Sequence, residues 1–237
     1  MSNHSFQWLQ AELTRIITAQ PAGSRLPSEP ALAKQLKVSR ATLREAMRSF
    51  ETQGLIRRKQ GLGTFVIGAV PLIDSGLEIL ESIEILAGRI GLKVTFGSLT
   101  IQQEKADEAL AKIMNLPSGS EVMRVSRVIQ TDERPVAYLV DILPREVLSE
   151  QELQSGFTGS VLDLLLRKGT APLASSRTEI KATGASPELA HLLEVQRGDV
   201  LLQFVANLIT NQGKVIDHSL SYFLPGYFSF HVNRRVG

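Results

Sequence analysis

Residues 26–66 constrain the fold of this chain more than any other stretch, because they combine two short helix patterns, a tight turn and a basic hairpin. Ser28 is a favoured helix-start residue ahead of a predicted helix from Glu29 to Leu36. Val38 and Ser39 then turn the chain into a second helix, with Ser39 as its predicted N-cap. Two short helices joined by so tight a turn indicate a helix-turn-helix.

The second of these helices is predicted to have two distinct faces. Arg40, Arg44 and Arg48 lie four residues apart on one face and form a stripe of positive charge. Such a stripe suits a phosphate-lined groove of DNA, and the alternative is a solvated basic surface without a partner. The apolar residues of the opposite face recur at helical spacing and should point into a core; they are Leu43, Ala46, Met47 and Phe50.

A basic hairpin follows the second helix. Gly54 is placed to end the helix, and Leu55 and Ile56 begin a strand. The chain turns at residues 60–63 and returns through Thr64 to Val66. The helix-turn-helix and this hairpin together predict a winged helix-turn-helix.

The distribution of charge supports a polyanionic partner for the N-terminal part. The whole chain has a net charge of only +2. Residues 1–68 hold ten Lys or Arg against four Asp or Glu, a net charge of +6, whereas the remaining residues hold sixteen against twenty, a net charge of −4. The N-terminal part is therefore predicted to bind a phosphate backbone in a salt-dependent way.

The chain is long enough for two modest domains, with 237 residues of which 43% are apolar. A helix is predicted for residues 5–19, and the Pro- and Gly-containing segment 68–76 is typical of a linker. The predicted domains are residues 1–68 and 77–237, joined by residues 69–76. Cysteine is absent, and neither a secretory leader nor a membrane span is recognisable, so a cytoplasmic location is expected.

The second part of the chain contains an internal repeat with a period of 79 residues. A helix over 77–90 and a strand over 93–101 come first; then helix, Gly turn, strand, polar hairpin and strand follow one another in 106–144 and again in 186–225. A short helix, 160–167, with Leu162, Leu165 and Leu166 facing inward, and a strand over 173–183 lie between the copies. Hairpin-linked strands pair antiparallel, which predicts an α+β domain with one mainly antiparallel sheet.

Residues 6–67 resemble the DNA-binding domain of GntR-type bacterial transcription regulators. The resemblance rests on LPSE, VSRATLREAM and GLIRRKQGLGTFV at their spacing. It implies that Arg40, Arg44 and Gly61 contact DNA. Pro30 and Ala41 depart from residues common in that family, which indicates an unusual base preference. The full set of DNA contacts that we predict is Arg25, Ser28, Ser39, Arg40, Thr42, Arg44, Arg58, Lys59, Gln60 and Gly61.

Residues 76–232 resemble the UTRA domain, the small-molecule sensor of the HutC branch of GntR regulators. The pieces that carry the resemblance are NLPSGSEVMRVSRV, RPVAYLVDILP, GSVLDLLL and RGDVLLQFV, in that order. It implies the fold of chorismate lyase for this domain.

The same resemblance implies an effector site at Arg127 and Ser160, which match positions that hold an anionic group in sugar-phosphate-sensing members. Asp217 and Tyr222 fall on the strand that closes the family's pocket. The alternative is that Ser160 only caps its helix and Arg127 pairs with a carboxylate. Ile129 and Leu139 stand where those members have a second Arg and an acid, which favours an anion with a more apolar body.

These observations predict a transcription regulator, with repression the favoured mode, that binds a near-palindromic operator as a homodimer and responds to a small anionic metabolite. Neither a metal spacing nor a cofactor motif is recognisable. Two alternatives stay open at this point: a lyase-like or carbohydrate-acting enzyme fused to a DNA-binding domain, and an architectural DNA-binding protein without an effector.

Overall fold

A computed structural model describes residues 3–59, 61–67, 72–131, 134–169 and 172–235. The chain divides into two compact units, residues 1–72 with 225–227 and residues 73–224 with 228–237. Within the described ranges, no helix is long and apolar enough to cross a membrane.

The first unit is a helix-turn-helix followed by a two-stranded hairpin. Its helices and strands are α1 (Asn3–Thr18), α2 (Glu29–Gln35), α3 (Arg40–Thr52), β1 (Ile56–Lys59) and β2 (Gly63–Val66). The four α3 residues that were predicted to face the core are all buried, and they pack with apolar residues of α1 and α2 such as Leu13 and Leu32. The amphipathic pattern of each helix therefore accounts for this core.

Both ends of α3 form as the sequence predicts. The hydroxyl of Ser39 accepts a hydrogen bond of 3.1 Å from the backbone N–H of Thr42, as an N-cap should. Gly54 follows the C-cap at a φ of +72°, a left-handed conformation that favours glycine. β1 then pairs antiparallel with β2 from Ile56 opposite Val66 to Lys59 opposite Gly63. The winged helix-turn-helix prediction is confirmed.

The second unit is built on a six-stranded antiparallel sheet in the order β4-β5-β6-β9-β8-β7. A separate pair of parallel strands joins β3 to β10. The strands are β3 (Ile73–Gly76), β4 (Val94–Lys105), β5 (Glu121–Thr131), β6 (Arg134–Pro144), β7 (Leu173–Gly184), β8 (Val200–Thr210), β9 (Val215–Phe223) and β10 (Phe228–His231). The helices are α4 (Ile83–Arg89), α5 (Glu108–Met114), α6 (Glu150–Gly156), α7 (Val161–Lys168) and α8 (Pro187–Leu192).

The sheet has two differently covered faces. On one face, α5 packs against β9 and α8 against β6. On the other face, α6 and α7 pack over Met123, Val125 and Leu143 in a second apolar cluster. The predicted α+β class and mainly antiparallel sheet are confirmed.

The predicted internal repeat is visible in matching backbone hydrogen bonds. Gly119 N–H donates to the carbonyl of Ala106, and Gly198 N–H donates to the carbonyl of Ala185, 79 positions further along, both at distances of 2.8–2.9 Å. Because the sheet order places β4-β5-β6 beside β9-β8-β7, the two copies meet at the β6–β9 pair in the middle of the sheet.

Three local predictions were wrong. The helix predicted for residues 77–90 begins only at Ile83, because Ser82 caps it by accepting from Ile85 N–H at 3.3 Å. Residues 73–76 of the predicted linker form β3, which pairs with β10. In α7, Leu166 is 55% exposed, and Val161 and Leu164 are buried instead.

Candidate DNA interface and ligand cavity

The basic stripe of α3 is exposed at its start, and its later arginines lie beside carboxylates. Arg40 is exposed in the first turn. Arg44 is 56% exposed but forms an ion pair with Glu29. Arg48 is only 25% exposed and lies 3.7 Å from a carboxylate oxygen of Glu45. The beginning of the helix therefore presents its cations most freely to a groove.

Glu29 joins the recognition helix to the wing. Its Oε2 atom accepts a hydrogen bond of 2.6 Å from Nε of Arg44. Its Oε1 atom lies 3.1 Å from Nη2 of Arg58 in β1. One carboxylate, 18% exposed, therefore holds two arginines from two different elements beside each other. Sequence reasoning used Glu29 only as a helix-start residue and missed this role.

The wing presents a short, exposed turn. Gly61 has a φ of +74°, which favours glycine, and it is exposed at the tip. Nζ of Lys59 lies 5.4 Å from the centre of the Phe65 ring, a cation–π distance. Arg25 forms a β-bridge to Phe65 and is exposed. The predicted contact Gln60 lies outside the described residues.

The remaining predicted DNA contacts lie at the helix starts. Ser28 precedes α2 and is exposed, but its side chain does not cap the helix. The hydroxyl oxygens of Ser39 and Thr42 are 2.8 Å apart at the start of α3. Positive charge and backbone N–H groups at a helix start suit a phosphate. The assignment of individual DNA contacts stays a prediction.

The second unit contains a cavity of about 710 Å³ on the α7 side of the sheet. Neighbouring positions across four strands form its floor, since Arg127 lies opposite Leu139, Leu139 opposite Ser221, and Ser221 opposite Phe204. Alternate residues of a strand point to one face, so Asp217, Ser219, Ser221 and Phe223 of β9 all line the cavity. Residues 79–82 and the starts of α4 and α7 form its walls.

An ion pair and a second carboxylate lie at one end of this floor. Nη1 of Arg127 donates a hydrogen bond to Oδ2 of Asp141, and Arg127 is only 5% exposed. Burial, the charge of Asp141 and a hydrogen bond to it raise the pKa of Asp217 well above its ordinary value, although Arg127 lowers it. Neither Nε of Arg127 nor Oδ1 of Asp217 has a hydrogen-bond partner within the structure.

The two helix starts at the cavity are tied together by hydroxyl groups. Ser160 is buried and accepts a hydrogen bond of 3.0 Å from Asp163 N–H, so it caps α7. Ser82 caps α4 and donates to Oδ2 of Asp163 at 2.8 Å. Burial raises the pKa of Glu84 in the first turn of α4, and nearby Asp163 and Asp141 raise it further, although its own backbone N–H and Arg127 lower it. Ser160 therefore caps its helix and Arg127 pairs with a carboxylate, as the structural alternative predicts. Both residues also line the cavity.

The structure does not bring Tyr222 to the cavity. Its neighbours Ser221 and Phe223 line the cavity, so the Tyr222 side chain points to the opposite face of the sheet. There its hydroxyl accepts a hydrogen bond of 3.1 Å from Gln203, and its ring stacks with that of Tyr138 at 6.3 Å. The prediction of Tyr222 as a cavity contact is corrected for this reason.

Sequence reasoning missed Asp141 and Glu84 as cavity residues. Asp141 carried a usable signal, because it is a charged residue inside the otherwise apolar strand segment VAYLVDILP. Glu84 carried none, because a Glu within an amphipathic helix ordinarily lies on the solvated face. Aromatic rings close the far end of the cavity, where Phe204 lies 4.6 Å from Phe230 and 5.2 Å from Phe223 between ring centres.

The geometry of the two units defines a class: a regulator that pairs a winged helix-turn-helix with a ligand-binding domain. Comparison with known proteins narrows this class. Residues 11–66 match the family described as bacterial regulatory proteins, gntR family, and residues 89–229 match the UTRA domain. The chain belongs to the GntR family of DNA-binding transcription regulators, in the HutC branch that carries this domain. The family consists of regulators, which decides against the enzyme alternative.

Relatives of similar length support this assignment. An HTH-type transcriptional regulator of Mycobacterium tuberculosis is 30% identical over 96% of this chain and 84% of its own length. The HTH-type transcriptional repressor NagR of Bacillus subtilis is 29% identical over 86% of this chain and 83% of its own length. The histidine utilization repressor of Pseudomonas putida is 29% identical over 77% of this chain and 72% of its own length.

Solved structures agree in fold. The crystal structure of PhnF from Mycobacterium smegmatis aligns with a TM-score of 0.63 at 22% identity, over 97% of this chain and all of that one. The effector domain of the same protein aligns with a TM-score of 0.60 at 18% identity, over 69% of this chain and 99% of that one.

Proposed function

We propose that this protein is a repressor that binds a near-palindromic operator as a homodimer and is switched by a small molecule held in the cavity of the second unit. The observation that carries the proposal is the presence of both working surfaces in one chain: an exposed basic helix start beside a basic wing, and a cavity of about 710 Å³. A cavity of that size suits a small metabolite. The names of NagR and the histidine utilization repressor support repression as the mode.

We expect a dimer because the DNA-contacting surface of one chain is small. One recognition helix covers a single half-site, and two-fold symmetric operators are read by two-fold symmetric proteins. The outer strands β4 and β7 leave two long edges of the sheet without a neighbouring strand in the described chain. Such edges can pair with a second copy. We therefore expect the second unit to supply the main dimer contact.

The switch requires a modest coupling energy. A hundredfold change in operator affinity needs the effector to favour one arrangement by about 2.7 kcal/mol. Contacts to charged groups contribute about 1.5–3 kcal/mol each, so one or two polar contacts in the cavity are sufficient. The segment between the two units would carry the change to the DNA-binding unit.

The test begins with selection of an operator from a random DNA library by the full-length protein. We expect an inverted repeat, protection of both half-sites and a dimer by light scattering. Metabolites that raise the melting temperature are then titrated against the protein–operator complex, and at least one should change operator affinity. A monomer that protects one half-site would contradict the dimer. A protein whose operator affinity no stabilising metabolite changes would instead fit an architectural role.

A further inference from the structure

The polar end of the cavity contains more acidic than basic side chains. Among the described lining residues, the carboxylates are Glu78, Glu81, Glu84, Asp141 and Asp217, and the guanidinium is that of Arg127. Two of the carboxylates have partners of their own, since Glu81 pairs with Arg89 and Glu78 accepts from a backbone N–H. Glu84, Asp141 and Asp217 remain, with Arg127 as their shared cation.

Arg127 is poorly placed to receive an anion, although its Nε atom has no hydrogen-bond partner within the structure. Asp141 already occupies one of its terminal nitrogens, and the ring of Phe157 lies 5.6 Å from its guanidinium carbon. An incoming anion would also lie close to the carboxylate of Asp141, and like charges at short distance in a buried site repel strongly. The cavity therefore disfavours the anionic ligand that the sequence predicts.

Asp217 points to the opposite kind of ligand. The residue is 7% exposed, lines the cavity, and its Oδ1 atom has no hydrogen-bond partner within the structure. A buried carboxylate oxygen without a donor costs free energy that a donor from a ligand would recover. The charged groups that act on it are Asp141 from β6 and Arg127 from β5, and the backbone N–H of Ile142 donates a hydrogen bond to it.

We infer that the effector carries a positively charged nitrogen that binds Asp217 and Asp141, and that its body extends over Ser219 and Ser221 toward the phenylalanines. A strand rises about 3.3 Å per residue, so about 20 Å separates Asp217 from Phe223. Hydroxyl groups line the middle of this path, and Phe204, Phe223 and Phe230 line its end. An amine or amidine with an apolar or aromatic tail matches this order of groups. This inference rests on the proposed effector-responsive function.

Binding of such a cation should depend on pH. Burial raises the pKa of both Asp217 and Glu84, and a bound cation would favour their ionised forms. Binding of the cation should therefore release protons, and its affinity should increase as the pH rises toward the raised pKa of Asp217.

The experiment compares compounds that share a body and differ in charge: 2-phenylethylamine, 3-phenylpropionate and 2-phenylethanol, with hexylamine, hexanoate and hexanol as an aliphatic set. Each body is about 7 Å long, about the distance from Asp217 to Ser219, so the set tests the contact of the cation with Asp217 rather than the aromatic end. Binding to the full-length protein is measured by thermal shift and ligand-observed NMR at millimolar concentration. We expect the amines to bind best, and Asp217→Asn to weaken them by about tenfold or more, since a charge-assisted contact is lost. Glu179→Gln is the matched control, because it makes the same charge change on an exposed β7 residue and should leave amine binding unchanged.

Three results would overturn the inference: tighter binding of the carboxylates, amine binding that Asp217→Asn leaves intact, or no amine binding at millimolar concentration. Operator titration separates this inference from the proposed function. If a carboxylate binds and changes operator affinity, the protein is an effector-responsive regulator but the cationic assignment is wrong. If amines bind at Asp217 and operator affinity does not respond to them, the assignment stands and the proposed function fails for this site.

Discussion

The Nε atom of Arg44 donates a hydrogen bond of 2.6 Å to Oε2 of Glu29, and this bond fixes an arginine of the recognition helix to the start of the preceding helix. The same carboxylate lies 3.1 Å from Arg58 of the wing. An acidic residue beside a phosphate-binding surface lowers the attraction for DNA. Its presence is explained if a fixed position of the two arginines matters more for specific binding than the charge it cancels.

The first prediction concerns the pairing of Glu29 with Arg44 and Arg58. Glu29→Gln should release Arg44 and Arg58 and remove one negative charge. Binding to random DNA should strengthen because the net charge is more positive, and binding to the selected operator should weaken because the two arginines are no longer held in position. We expect the ratio of specific to non-specific affinity to fall by roughly tenfold, as when one well-placed base or phosphate contact of about 1–3 kcal/mol is impaired. Fluorescence anisotropy with both DNAs at several salt concentrations measures this ratio.

Glu12→Gln is the control for this experiment. Glu12 forms an exposed ion pair with Arg15 at 3.0 Å in α1, so the substitution makes the same change in charge away from the helix-turn-helix. It should change affinity for both DNAs equally and leave their ratio unaltered. An identical ratio in Glu29→Gln and Glu12→Gln would show that Glu29 does not position the arginines.

The second prediction concerns the exposed start of α3. Arg40→Ala should weaken operator binding by about 1–3 kcal/mol, and the double change Arg40→Ala/Arg44→Ala should weaken it further and reduce the salt dependence. Arg15→Ala, at a residue that is 73% exposed on α1, is the charge-matched control. Operator affinity and salt slope that stay unchanged in the double variant would remove these two arginines from the DNA interface.

Local and long-range features were not equally accessible from the sequence. Ser39, Leu43 and Gly54 signal a cap, a core position and a helix end within a few residues of one another, so the DNA-binding unit followed from short-range rules. The charge of the cavity did not, because Asp217 comes beside Arg127 and Asp141 of the β5–β6 hairpin only after β6 has paired with β9, a strand distant in the sequence. The 79-residue repeat predicted the hairpins but not that both of these carboxylates would lie beside Arg127.

The third prediction concerns the buried pair of Arg127 and Asp141. Arg127→Ala should destabilise the second unit by about 3 kcal/mol or more, because it leaves Asp141 and Asp217 without their cation. Arg127→Met/Asp141→Leu should be much less destabilised than Arg127→Ala, since it removes both charges and keeps apolar volume. Urea unfolding followed by circular dichroism measures the difference. Equal destabilisation of the single and double variants would mean that packing, rather than charge, accounts for the loss.

The last prediction uses the raised pKa of Asp217. Burial and Asp141 favour its protonated form in the folded state, although Arg127 opposes this, so its contribution to stability is complete below the ordinary pKa of 3.8 and is lost as the pH rises through the raised value. Asp217→Asn removes this titration, and its amide can still donate a hydrogen bond to Asp141. The variant should therefore match the wild type near pH 4 and exceed it increasingly toward pH 8, by on the order of 1 kcal/mol, or about 2–4 °C in melting temperature. Melting curves across this range for wild type, Asp217→Asn and the exposed control Glu179→Gln check the direction. A stability difference between Asp217→Asn and the wild type that does not change with pH would show that Asp217 is ionised throughout the range.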